Sequence, residues 1–333
     1  MAESTVTRVT EQDLDRMTDR LHITVGENRH DKWSAFWILL SLAAVIASAG
    51  VVADSTATVI GAMIVAPLMT PILGTALALV LSDRKRMIIN FGLVIGGAAL
   101  VILIGFLIAL LHPGVLVADT NSQIAARVSP RLIDLLAALA TGVVGAFALV
   151  RPDVSDTLPG VAIAISLVPP LAVVGITLEA GATDQALGAL LLFGTNVTAI
   201  IATGVFVLLL YRVRHAALDF GWPLGRLRGS TLAGVILAVV LIAAPLVIGS
   251  VTVARQQAAI TRAVPVARAW AESQGWQVVD VSFRQDALHI VALGPPPTID
   301  EEALRDQLDA AGLADTNVAV SLLIGGTKEL PAR

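Results

Sequence analysis

Two proline pairs are the residues with the most chemical consequence in this sequence. Pro67 and Pro71 lie in Gly61-Ala62-Met63-Ile64-Val65-Ala66-Pro67-Leu68-Met69-Thr70-Pro71, and Pro169 and Pro170 follow Ser166-Leu167-Val168. Both stretches are otherwise apolar and long. A proline inside a helix removes one amide donor and clashes with the preceding turn, which frees carbonyls. In hydrocarbon such groups persist only where protein or a wet cavity surrounds them. Bared carbonyls suit Na⁺-like ions, and the positive N-terminal ends of half-helices suit anions.

Polar side chains accompany each proline pair. Thr70 and Ser166 adjoin the breaks and could add hydroxyl ligands or bond back to a helix carbonyl. Asp54 and Asp153 each precede a proline-bearing stretch. They read first as N-caps of the helices that follow, and second as vestibule or ion-coordinating groups. Asn90 and Asn196 lie in later apolar stretches, in RMIINFGLV and FGTNVTAII. For Asn90 an interhelical hydrogen bond is the simpler reading; for Asn196 that reading and a ligand role weigh equally.

These residues recur at a fixed interval. Asp54, Thr58, Gly61, Ile64, Leu68 and Pro71 are matched 99 positions later by Asp153, Thr157, Gly160, Ile163, Leu167 and Pro170. Asn90 corresponds only loosely to Asn196. A repeat of three helices reverses direction on its second pass, so the spacing predicts an inverted-topology repeat of the kind common in secondary transporters.

The elements that must position these groups follow from charge. Of the 333 residues, 56% are apolar and 14% charged, too apolar for a soluble domain of ordinary composition. Charge-poor runs long enough to cross a bilayer predict seven membrane helices: Trp33–Ala53, Thr56–Leu81, Met87–Leu111, Leu132–Val150, Pro159–Leu178, Ala186–Tyr211 and Ser230–Ile248. Asp134 lies near the start of the fourth, where an interfacial position is expected.

Repeat one covers residues 33–111, repeat two 132–211, and an extra helix 230–248. Residues 1–32 are polar and read as a cytoplasmic segment. Lys and Arg concentrate there, at Arg84, Lys85 and Arg86, at Arg151, and from Arg212 to Arg228. That bias puts the N-terminus in the cytoplasm and, with seven spans, the C-terminal region outside. Residues 250–333 read as a separate α+β domain of order α-β-β-α-β, loosely resembling periplasmic lipid- or protein-binding modules of the BON type.

Several function classes are excluded. There is no cysteine, so thiolate metal sites, disulfides and cysteine nucleophiles are out. Five scattered histidines offer no ligand spacing. No serine–histidine–aspartate set, nucleotide motif or basic aromatic patch is visible. No catalytic role, metal or cofactor is expected, and no nucleic-acid partner. The bilayer is the expected partner, and small-residue stripes at Gly92, Gly96 and Gly97 suit helix packing and also a homo-oligomer interface.

The segments GAMIVAPLMTPILG at Gly61–Gly74, GVAIAISLVPPLAVVG at Gly160–Gly175 and FGTNVTAIIATGVF at Phe193–Phe206 resemble the bacterial and archaeal family called domain of unknown function 389. The resemblance covers about Trp33 to Arg212. It implies the membrane architecture, an inner-membrane location, and no substrate.

The sequence therefore predicts an all-α membrane bundle with an inverted three-plus-three repeat, broken second and fifth helices and an appended α+β domain. The expected function is transport or conduction of a small solute or ion between the broken helices. Nearly charge-free spans fit a small anion or neutral solute better than a polycation, with carbonyl-bound Na⁺ left open. The alternative is a non-transporting scaffold or sensor whose extracytoplasmic domain binds a ligand.

Overall fold

The computed structural model describes residues 9–23, 29–112, 114–118, 120–130, 132–151, 167–222, 224, 255, 258–284, 287–294 and 301–324. The chain divides into two compact units, Met1–Gly249 and Ser250–Arg333.

The first unit is helical. Its elements are α1 (Glu11–Leu21), α2 (Arg29–Val52), α3 (Thr56–Val65), α4 (Met69–Leu81), α5 (Arg84–Leu110), α6 (Ser122–Val128), α7 (Leu132–Val150), α8 (Val168–Glu179), α9 (Thr183–Leu210) and α10 (Val213–Asp219). Four helices (α2, α5, α7 and α9) are long and apolar enough to cross a membrane, and α3 with α4 makes a fifth if the bent pair counts as one span. Ile38, Leu42, Ile88, Phe91, Ile95, Leu103 and Leu107 point outward and exposed. A surface of that kind is solvated by lipid rather than water.

The long helices begin a turn earlier than charge alone suggests. Arg29–Lys32, Arg84–Arg86 and Thr183–Asp184 are helical first turns, not loops. Long basic side chains at a span's end keep their heads in water while their stems continue the helix. Asp83 caps α5, accepting the Arg86 amide at 3.0 Å.

Residues 9–23 contain an element the polar composition conceals. Thr10 and Asp13 form a capping box, and α1 then buries Leu14, Met17 and Leu21 against the bundle. Arg16 Nη2 donates to the Leu149 carbonyl at the end of α7 at 3.3 Å. Arg214 Nη1 donates to the Val80 carbonyl and the Ser82 hydroxyl at the end of α4, both at 3.0 Å. Two arginines thus satisfy carbonyls left over at helix C-termini.

These contacts fix which helix ends lie together. One end holds α1, the start of α2, the ends of α4, α7 and α9, and the start of α5. The other holds the end of α2, the start of α3, the end of α5, α6, the end of α8 and the start of α9. At that second end a Cβ on Gly188 of α9 would strike the Val128 carbonyl of α6.

The second unit is a small α+β fold, as its pattern predicts. Residues 258–273 are helical (α11), followed by β1 (Gln277–Arg284), β2 (Ala287–Gly294), α12 (Glu301–Leu308) and β3 (Asn317–Ile324). The sheet order is β1-β2-β3, antiparallel between β1 and β2 and parallel between β2 and β3. Burial alternates along β2, and Leu288, Ile290 and Ala292 meet Ala263, Ala267, Trp270, Leu304 and Leu308 of the helices. Gly294 lies so tightly on the Trp276 ring that no Cβ fits there.

Candidate functional site

The second predicted span is broken where its proline requires it. Pro67 forces Ala66 out of helical geometry, to φ −69° and ψ 125°, and α3 and α4 meet at a 47° bend. With no amide on Pro67, the Met63 carbonyl has no intrahelical donor. Among the described residues no backbone amide donates to the carbonyls of Ala62 through Ala66. The turn is closed instead by the Thr70 amide on the Pro67 carbonyl at 3.2 Å. Thr70 itself is half-buried there.

Pro71 acts differently from the expectation. Pro71 stands in the first turn of α4, and Pro169 and Pro170 stand in the first turn of α8. First-turn amides lack intrahelical acceptors anyway, so Pro71, whose preceding helix has already ended at Val65, begins α4 and frees no carbonyl, while what precedes Pro169 and Pro170 lies outside the described residues. Of Pro67 and Pro71, only Pro67 interrupts a helix. Ser166 and Asp153 lie outside the described residues, as does the first part of the predicted fifth span.

Close contacts between three pairs of helices set the depth of the two helix starts. Along α4 and α5, which run antiparallel, Gly74 faces Asn90 and Gly97 faces Leu68. Along α5 and α8, which run parallel, Gly105 faces Ala172, and Gly175 faces Ile102 to Phe106. Along α4 and α9, also parallel, Gly204 faces Ala76 and Leu73. Tracing back eight residues, about 12 Å along each helix, from the Gly204–Ala76 contact reaches Asn196 with Leu68, and tracing back from the contacts of Gly105 with Ala172 and Gly175 places Gly97 within a turn of Leu167. Leu68, Leu167, Gly97 and Asn196 therefore lie within about one helical turn of the same depth. Leu68 and Leu167 also belong to one buried cluster with Phe193 and Val197. Asn196 is 2% exposed at this level, beside buried Thr195.

Two predicted site residues lie elsewhere. Asp54 does not cap the helix that follows it; Ser55 does, accepting the Thr58 amide at 3.4 Å. Asp54 Oδ1 instead accepts the Ser122 hydroxyl at 2.7 Å and the Gln123 amide at 3.0 Å, capping α6 from 68 residues away. The Ser122 hydroxyl above all holds this exposed carboxyl below its ordinary value. The same corner is tied by Asn121 Nδ2 to the Val51 carbonyl at 2.7 Å and by Gln123 Nε2 to Thr56 Oγ1 at 2.8 Å. Ala118 N also donates to Gln185 Oε1 at 2.9 Å.

Asn90 is buried toward the basic end, where its Nδ2 lies 3.2 Å from His22 Nδ1. An amide NH₂ only donates, so Nδ1 accepts and the neutral ring carries its proton on Nε2. Burial, reinforced by Arg86, depresses the His22 pKa to about 4. Sequence reasoning missed α1 and His22. The signal was present in Thr10-x-x-Asp13 and in Leu14, Met17 and Leu21 on one helical face.

Residues 63–202 match the family described as Domain of unknown function (DUF389). This stretch belongs to that family. The DUF389 match covers the α3–α4 break, α5, α7, α8 and most of α9. The chain is also 31% identical over 176 residues to an uncharacterized protein of Methanocaldococcus jannaschii, covering 53% of this chain and 54% of that one. The chain thus spans about half the length of the curated relative it matches. No solved structure matches.

Proposed function

We propose that this DUF389 protein is a membrane transporter or channel for a small solute or ion, acting where the two helix starts lie level. The observation carrying this reading is the shared depth of Leu68 and Leu167, with α4 leading from it to the basic end and α8 to the other. Discontinuous helices that point oppositely from one level are how many transporters build a midplane site.

An inverted repeat is the simplest source of that arrangement, and the helix limits support it. α4 and α8 start at Met69 and Val168, 99 residues apart, and α5 and α9 start at Arg84 and Thr183, again 99 apart. The packing partners also exchange: α2 with α5 as α7 with α9, and α4 with α9 as α8 with α5.

In this reading the basic end faces the cytoplasm. It carries Arg16, Arg29, Lys32, Arg84, Lys85, Arg86, Arg151, Arg212 and Arg214. The predicted seventh span, residues 230–248, lies outside the described residues, and an extracytoplasmic C-terminal domain depends on it.

The test is solute flux into liposomes containing the purified protein. Saturable flux lowered by Pro67→Ala supports transport. Flux equal to that of empty liposomes across cations, anions and neutral solutes would favour the scaffold or sensor reading.

A further inference from the structure

We infer that the solute handled at this level is a small monovalent cation, held by backbone carbonyl and side-chain oxygens. The inference deepens the transport reading above and rests on it.

The level is short of donors for an anion. An anion at a helix start is held chiefly by free backbone amides and cationic side chains, with hydroxyl or side-chain amide donors adding to them. Pro169 and Pro170 remove two amides from the first turn of α8. In α4, Pro71 removes another, the Thr70 amide is taken by the Pro67 carbonyl, and the Ile72 amide reaches the Leu68 carbonyl at 3.4 Å. No Lys, Arg or His occurs from Trp33 to Leu81, from Leu167 to Leu178, or from Gln185 to Leu210.

Acceptors are in surplus at about the same depth. The last carbonyls of α3 receive no backbone amide among the described residues, because Pro67 removes one donor and the bend carries the next two away. They end at the level where Asn196 and Thr195 are buried and Thr70 is half-buried. Rings of carbonyl and hydroxyl oxygen replace the water shell of a monovalent cation. Mg²⁺ or Ca²⁺ would require carboxylates as well. None occurs from Ser55 to Ser82 or from Gln185 to Tyr211, and no metal-binding group of acidic or histidine side chains exists among the described residues.

The experiment uses the full chain in liposomes and follows uptake of sodium and rubidium beside chloride, bicarbonate, phosphate, urea and glycerol. Saturable sodium or rubidium uptake is expected. Asn196→Asp, which adds a negative charge at the level, is expected to lower the half-saturating cation concentration about tenfold. A measurement on the unaltered protein guards against misfolded variants. Sodium or potassium should raise its melting temperature at constant ionic strength against an impermeant organic cation, and exchanging chloride for gluconate should not.

Saturable flux confined to anions or neutral solutes would overturn the cation assignment and leave the transport reading standing. Cation flux with unchanged affinity in folded Asn196→Asp would overturn the placement at this level. Absence of all flux would overturn both readings.

Discussion

Gly105 of α5 lies so close to Ala172 of α8 that a Cβ on the glycine would stand 2.6 Å from the Ala172 carbonyl oxygen. That approach sets the register of α5 against α8, and the register makes the two helix starts level. Its counterpart under the 99-residue offset, Gly204 against Leu73, is looser, with a Cβ contact of 3.4 Å.

Gly105→Leu should therefore force α5 and α8 apart at a cost of about 1–3 kcal/mol, the usual range for overpacking. Gly204→Ala should cost less, and Gly92→Leu, where a Cβ meets nothing within 4 Å, should be near neutral. Thermal unfolding in detergent ranks the three. Equal melting temperatures would mean the α5–α8 approach is not tight.

Asp54 should behave as the cap of a distant helix and not as a solute ligand. Its φ of 50° is tolerated by Asn, which also keeps an acceptor oxygen. Asp54→Asn should preserve both flux and slow amide exchange in α6, whereas Asp54→Val should speed exchange at residues 121–128. Because the folded carboxyl titrates below its ordinary value, its stabilising effect is present at neutral pH and lost as pH falls through the acid range. Loss of flux in Asp54→Asn with α6 intact would return Asp54 to the solute path.

Acid should release α1. His22 is neutral in the docked state and its pKa is lowered to about 4. An undocked histidine takes up a proton near its ordinary value of about 6.5. Docking strength is thus full above that pH and declines between it and about 4. Hydrogen exchange at residues 11–21 should rise over this window in the unaltered protein and stay flat in His22→Gln. Flat exchange in both would show that His22 does not titrate against docking.

Orientation is accessible because the chain has no cysteine of its own. Single cysteines at Arg84 and Asp184 lie at opposite ends of the helical unit. An impermeant reagent applied to intact cells should label Asp184→Cys and spare Arg84→Cys. The reverse pattern would invert the proposed topology.

The sequence carried the apolar spans, the Pro67 break and the order of the C-terminal domain, because each follows from neighbours in the chain. Proline's missing amide acts on its own helix, and β-alternation is written residue by residue. What it hid are pairings across long separations. Asp54 finds Ser122, His22 finds Asn90 and Arg214 finds Val80, each more than 65 residues away. Nothing local distinguishes such residues from ordinary caps and loop charges. Pro71 is hidden for a related reason: whether a proline breaks or begins a helix depends on where the preceding helix has already stopped.

The proposed solute path lies where the Pro67 break and the start of α8 come to a similar depth. Flux through reconstituted protein, compared with Pro67→Ala and with empty liposomes, tests it most directly. Saturable sodium or rubidium uptake is expected, falling when Pro67→Ala restores the missing amide and lets the helix continue. Uptake indistinguishable from empty liposomes for every ion and neutral solute, with the protein folded and inserted, would contradict it.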